Sequence, residues 1–243
     1  MIRLAHLSDT HMNGTADRRM RLVQGLSQAT TAGAKHLLLT GDLTKNGLPT
    51  QYRELAGVLS TYWPGTSTVI PGNHDPMHFE PVFGSPALLD LGDAFVLPLD
   101  TRYRRRAPLF RALGRVGAEQ LAAVQRLASS TSKPVVVAMH HGPQSHPLQW
   151  LDGLVDRHRM LGLLNAHPNV HVCCGHDHRA LDIGRIHVAG SVAHHPEPLR
   201  LYDVVDGHFF PSYRSADPGK YMTLGAVHFD GRAIPGVGWP PPC

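Results

Sequence analysis

Five short blocks of aspartate, asparagine and histidine punctuate the chain: Asp9-Thr10-His11, Gly41-Asp42, Gly72-Asn73-His74-Asp75, His140-His141 and Gly175-His176-Asp177-His178. Imidazole, carboxylate and carboxamide groups are ligands for transition-metal cations, and this mixture suits Mn, Fe, Co or Zn better than Mg or Ca. A lone Asp-x-His is weak evidence, because turns and surface pairs have the same composition. With 18 histidines in the chain, abundance alone could also produce such blocks. What speaks against chance is position: each block closes an apolar segment. In extended backbone, residues two apart point the same way, so Asp9 and His11 can reach one ion together. His176 and His178 can reach one ion or two neighbouring ions. Gly41, Gly72 and Gly175 permit sharp turns where the backbone leaves the sheet.

The segments that must position these blocks read as alternating strands and helices. Strands are expected at 2–7, 36–40, 68–70, 94–99, 134–139 and 170–174, and helices at 17–30, 49–60, 118–128 and 156–166. Gly33 is a stop for the first helix and Pro49 a start for the second. The Pro- and Gly-rich stretch 76–93 is expected to be irregular. Later strands are expected at 186–189, 201–205 and 222–229, with a proline-rich surface tail over 230–243. This order predicts an α/β layered fold closed by extra strands at its C-terminal side. Sites in such sheets form at the carboxyl ends of strands, so five clusters distant in sequence can converge.

In order, residue type and strand context the blocks resemble the calcineurin-like metallophosphoesterase superfamily, whose pattern runs D-x-H, G-D, G-N-H-[DE], H, G-H-x-H. All five blocks stand between residues 9 and 178. The stretches LTGDLTKNGLPTQY, PVVVAMHHGP and LLNAHPNVHVCCGHDH are similar to bacterial class III cyclic-nucleotide phosphodiesterases. The resemblance implies a four-layer αββα sandwich of two mixed β-sheets flanked by helices, as a single domain over 1–243, with a dinuclear centre of divalent or trivalent metal ions. It implies that Asp9, His11 and His178 hold one metal, that Asn73, His140 and His176 hold the other, and that Asp42 bridges them. It places His74 against the substrate as the catalytic histidine, with Asp75 orienting it or else capping the following segment. His140 is preferred to His141 as the ligand because a histidine followed by any residue is the family's pattern there. His141 and His195 are candidate substrate contacts, although Pro196 and Pro198 also make a plain turn of 191–202. Two divalent cations against two ligand carboxylates and a bridging hydroxide leave a formal charge of about +1, suited to a phosphate anion.

The activity so implied is hydrolysis of phosphodiesters, cyclic nucleotides or other small diesters, by attack of a metal-bridging hydroxide on phosphorus. A phosphomonoesterase would use the same centre. A non-catalytic scaffold would tend to have lost ligands, and all seven remain here together with His74. Three departures bear on the substrate: a very short Met12–Ala16 loop, HHGP where HHPP is commoner, and little sequence for a lid. All three favour an open site that tolerates several phosphodiesters.

The totals exclude other classes. The chain has 243 residues, 42% hydrophobic and 17% charged, with a net charge of +4, which is globular rather than disordered. No apolar run approaches the ~18–20 residues that cross a bilayer. The N-terminus lacks a signal-peptide pattern and no disulfide framework follows from three cysteines, so a cytoplasmic location is expected. Cys173 and Cys174 read as small buried hydrophobes on opposite faces of one strand. Six arginines between Arg102 and Arg115 could favour an anionic partner, but the aromatics of a single-strand groove are few, so nucleic acid is not the expected partner. The sequence leaves the oligomeric state open, and a dimer is compatible with it.

Overall fold

The computed structural model describes residues 1–76, 78–103, 112–144, 149–194, 198–214 and 221–223. Its first half builds β1 (Ile2–Leu7), α1 (Ala16–Thr31), β2 (His36–Thr40), α2 (Pro49–Tyr62), β3 (Thr66–Ile70), a short α3 (Glu80–Phe83), β4 (Leu89–Asp90) and β5 (Phe95–Pro98). Then follow α4 (Ala118–Ser130), β6 (Val135–Ala138), a short α5 (Gln149–Asp152), α6 (Arg157–Ala166), β7 (Val170–Cys174), β8 (Leu181–Ile183), β9 (Ile186–Val188), β10 (Arg200–Val205), β11 (His208–Arg214) and β12 (Tyr221–Thr223).

Two six-stranded mixed sheets result, in the orders β12-β11-β10-β1-β2-β3 and β4-β5-β6-β7-β9-β8. In the first, β1, β2 and β3 are parallel, β10 pairs antiparallel with β1, and β11 and β12 each add antiparallel to the strand before. In the second, β5, β6, β7 and β9 are parallel, with β4 and β8 antiparallel at the edges. Strand periodicity explains the layers. Ala5, Leu7, Leu37 and Leu39 face α1 and α2, against Leu22, Leu26, Leu55 and Leu59. Val135, Val137, Val170 and Val172 face α4 and α6, against Leu121, Val124, Met160 and Leu164. The alternate residues Leu4, Leu38, Val136, Ala138 and Cys173 meet between the sheets, with Val96, Tyr202 and Phe209. The fold is therefore the four-layer αββα sandwich. Strands covered on both faces read as continuous apolar runs such as HLLLT, which is buried throughout.

Gly33 ends α1 with φ +77, as its type predicts. Cys173 lies between the sheets and Cys174 under the helices, both fully buried. Burial pushes both thiols up, which leaves them unreactive. Several expectations need correction. The 76–93 stretch holds α3 and β4 rather than no structure at all. The expected strand at 222–229 is seen as β12 over Tyr221–Thr223, and its remainder lies outside the described residues, as does the 230–243 tail. β9 and β10 stand where strands are expected, but their hairpin partners β8 and β11 are not among the expected strands. Asp206 and Gly207 turn the β10–β11 hairpin with φ +50 and +76, the conformation that an Asp-Gly pair supplies between strands.

Candidate metal centre

The loops after β1, β2, β3, β6 and β7 meet at one end of the sandwich. Beyond the strand ends the ladder continues through loop backbone: Asp9 N–H donates to Gly41 O at 3.0 Å, His11 N–H to Asp42 O at 2.9 Å and Met12 N–H to Leu43 O at 2.9 Å. Gly175 N–H donates to His140 O at 3.0 Å and His176 N–H to Asp9 Oδ2 at 3.1 Å, which ties the second sheet to the first.

Asp9, His11 and His178 bring ligand atoms within 4.8 Å of one another, and so do Asp9, Asp42 and His140. His140, His141 and His176 make a further such group, and His11, Asp42 and His74 another. Asp42 stands in the middle: its Oδ1 lies 3.3 Å from His140 Nε2, and its Oδ2 3.8 Å from His11 Nε2. Asn73 Oδ1 lies 3.1 Å from His140 Nε2. All seven expected ligands are thus brought together.

The way they converge differs from the expectation. Asp9 and His11 do not share a face of an extended strand. Both are in the left-handed region, at φ +54 and +42, and so are Asp42 at +46, His176 at +73 and His178 at +57. Such conformations cost non-glycine residues on the order of 1–3 kcal/mol each and concentrate at functional sites. Gly41, at φ +87, is a turn glycine, but Gly72 and Gly175 serve by lacking a side chain. A Cβ on Gly72 would sit 2.3 Å from Asp42 Oδ1, and one on Gly175 would sit 1.8 Å from Ser8 Oγ.

Hydrogen bonds fix the imidazole tautomers. His140 Nδ1–H donates to Thr40 O at 2.8 Å, so Nε2 turns its lone pair toward the oxygens of Asn73 and Asp42. His176 Nε2–H donates to Asp152 O at 2.7 Å, which leaves Nδ1 as its lone-pair atom. Carbonyl partners of this kind orient histidines that bind metals. The Nε2 atoms of His11 and His178 face each other at 3.3 Å. Asp9 Oδ1 is buried without a hydrogen bond, with His178 Nε2 3.3 Å away. Acceptors facing acceptors in a buried site are what a cation compensates. Burial opposes the charged form of His140, yet the Asp42 carboxylate raises its pKa to about 10. Burial likewise opposes ionisation of Asp42, but His140, His74 and His11 hold its carboxyl far below the ordinary range. The field that would keep a proton on His140 is the field that would hold a metal ion, and the donor set fits a dinuclear centre.

Four other candidates separate. The His74 side chain is 45% exposed beside the centre, with Nε2 3.9 Å from Asp42 Oδ2. Its Nδ1–H donates to Lys45 O at 2.9 Å. Asp75 therefore does not orient the ring directly. Its buried carboxylate accepts from Leu43 N–H, Gly72 N–H, Thr44 N–H, the Thr44 hydroxyl and the Tyr52 hydroxyl, at 2.9–3.1 Å. It clamps the two loops that carry Asp42 and Asn73. His141 is 1% exposed, its Nδ1 pairs with the Thr101 hydroxyl at 2.8 Å, and its ring packs 4.5 Å from that of His176. It is buried beside His176 rather than open to solvent. His195 is outside the described residues, but its neighbour His194 stacks on His178 with centroids 5.1 Å apart.

Arg102 is engaged by Asp100, Glu80 and the Asp75 carbonyl, and Arg104, Arg105, Arg106 and Arg111 lie outside the described residues. Among the described residues, no helix is long and apolar enough to cross a membrane.

Residues 2–180 match the family profile described as calcineurin-like phosphoesterase. The chain belongs to the calcineurin-like phosphoesterase family. The matched span contains every block described above. Membership makes it a metallophosphoesterase, a hydrolase of phosphate esters that works through a metal centre. No curated protein sequence matches the chain. Among solved structures, the calcineurin-like fold is shared with a dimetal phosphatase from Danio rerio, at 11% identity and a TM-score of 0.69, over 86% of this chain and 95% of that one. The TT1561 protein of Thermus thermophilus aligns at 15% identity and a TM-score of 0.56, over 86% and 97%. Purple acid phosphatase PPD1 from yellow lupin aligns at 12% identity and a TM-score of 0.58, over 91% of this chain and 52% of that one.

Proposed function

We propose that this chain hydrolyses phosphodiesters, cyclic nucleotides or other small diesters, with a pair of metal ions drawn from Mn, Fe, Co and Zn. Asp9, His11 and His178 would hold one ion and Asn73, His140 and His176 the other, with Asp42 serving both. Bound there, such a pair supplies an activated water and charge compensation for the phosphoryl oxygens. The observation that carries the reading is the convergence of the ligand atoms around Asp9 Oδ1, which is buried without a hydrogen bond, beside an exposed imidazole.

The chain's own groups then divide the work. His74 has its proton on Nδ1, held by Lys45 O, and presents Nε2 to the open side. When protonated, that atom donates to a phosphoryl oxygen or to the leaving group. Asp75 keeps the loops of Asp42 and Asn73 at a fixed separation. An open site supports the diester reading, and the side chains of His74 and His178 are 45% and 38% exposed. The test is hydrolysis of bis-p-nitrophenyl phosphate with added Mn²⁺, beside p-nitrophenyl phosphate. A higher kcat/KM on the diester, lost in Asp9→Ala and Asn73→Ala, is expected. A higher value on the monoester would make the chain a phosphomonoesterase. Turnover no greater than in the two variants would refute catalysis at this centre.

A further inference from the structure

Arg18, in the first turn of α1, reaches across to the loop that follows β9. Its Nη1–H donates to Ala193 O and its Nη2–H meets His194 Nε2 at 3.4 Å. The protons of that chain can be placed. Ser191 Oγ–H donates to Asp9 O at 3.0 Å, so the Ser191 oxygen accepts from His194 Nδ1–H at 3.1 Å. His194 Nε2 is then a lone pair, and Arg18 is its donor. The His194 ring stacks on His178 at 5.1 Å and 23°, and stands edge-on to His11 at 5.9 Å. One imidazole therefore separates the guanidinium from the Asp9–His11–His178 group.

The neighbouring arginines have counter-ions: Arg19 pairs with Glu54 and Arg21 with Asp17. Among the described residues, no carboxylate pairs with Arg18. A guanidinium carries five N–H donors, and only two are engaged here. The partly exposed remainder is a fork suited to a carboxylate or phosphate. The short Met12–Ala16 loop makes this reach available, because little chain stands between His11 and the first turn of the helix.

We propose that Arg18, held at the rim by Ala193 and His194, binds a second anionic group on the substrate. The site then selects phosphate esters whose short organic arm carries a carboxylate or a phosphate. This rests on the phosphoesterase reading of the centre and adds a substrate class to it.

The test measures binding to the Mn²⁺-loaded full chain, with propylphosphonate, 2-carboxyethylphosphonate and ethane-1,2-diphosphonate as probes and metal in slight excess. The expected result is about 10- to 150-fold tighter binding of at least one anionic-arm probe than of propylphosphonate, the worth of a hydrogen bond to a charged group. Whichever probe gains more names the group. In Arg18→Met that ratio falls to about 1, and Arg18→Lys, which keeps the charge without the fork, retains part of it. Equal binding of all three by the native chain overturns the proposal. So does a ratio that persists in Arg18→Met, because an arginine that only pins the loop would weaken all probes alike. If none of the three binds, the phosphoesterase reading falls with it.

Discussion

Gly175→Ala puts one methyl group where the two sheets meet at the centre. The new Cβ would stand 1.8 Å from Ser8 Oγ, 2.8 Å from Ser8 Cβ and 2.5 Å from Asp9 Oδ2. Carbon contacts are at rest near ~3.5–4.0 Å, so no small adjustment absorbs this. Ser8 can turn away only by giving up its hydrogen bond to Thr40 O at 2.9 Å, in a buried position. Asp9 can retreat only by moving the carboxylate that faces His178. Overpacking of this kind costs about 1–3 kcal/mol. Displacing a group that positions a ligand lowers metal affinity by about 10- to 100-fold. The assay pairs denaturant unfolding of the metal-free chain with Mn²⁺ titration of the folded one. Ser8→Ala in the Gly175→Ala background removes the 1.8 Å clash and leaves the 2.5 Å one with Asp9 and the 2.8 Å one with the Cβ of residue 8. Stability should recover in part, and metal affinity should not. If Gly175→Ala alone binds Mn²⁺ as tightly as the native chain, the claim that this glycine exists to admit Asp9 is wrong.

His74→Ala should lower kcat by about 10²- to 10⁴-fold on a diester substrate while the metal stoichiometry stays at the native value; an unchanged kcat would remove His74 from the chemistry. His36 is fully buried between the hydroxyls of Thr66 and Thr68, and burial lowers its pKa from 6.5 to about 4. The unfolded chain therefore binds this proton first, so stability is intact above pH 6.5 and declines by about 3 kcal/mol as pH falls toward 4. His36→Gln should flatten that acid limb in urea titrations, and an identical pH profile would count against the assignment. Tyr52→Phe removes one of five donors from the buried Asp75 carboxylate and should cost about 1.5–3 kcal/mol by denaturant midpoint; a change below about 0.5 kcal/mol, the scatter of neutral surface substitutions, would show that the clamp does not need it. Chelation should lower the melting temperature, with a stability loss that grows with the logarithm of metal affinity and reaches about 2.7 kcal/mol where metal had stood at 100 times its Kd, and an unaltered melt would mean that no metal stabilises the fold.

The layers were legible because burial on both faces leaves a simple trace. HLLLT and PVVVAM are apolar without interruption, and the helices between them carry a stripe every three or four residues. The late hairpins were less so. β11 contains Pro211 and alternates weakly, and its best signal was the Asp206-Gly207 turn rather than the strand itself. Asp75 illustrates a different limit. Its place after GNH suggests a partner for the histidine beside it. Apart from Gly72 N–H, however, its donors come from the loop after β2 and from α2, which sequence spacing does not bring near.

By itself the sequence determined which atoms are available to a metal centre and on which strand ends they ride, because ligand type and strand register are local properties. It also separated Cys173 from Cys174, since adjacent strand residues must face opposite layers. The tertiary structure decided the rest. It set five ligand residues in left-handed backbone, fixed the protons of His140 and His176 through carbonyls distant in sequence, and brought Arg18 of the first helix to His194 in the loop after β9. These outcomes depend on long-range hydrogen bonds and on the space left by absent side chains, and no pattern along the chain encodes a distance across it.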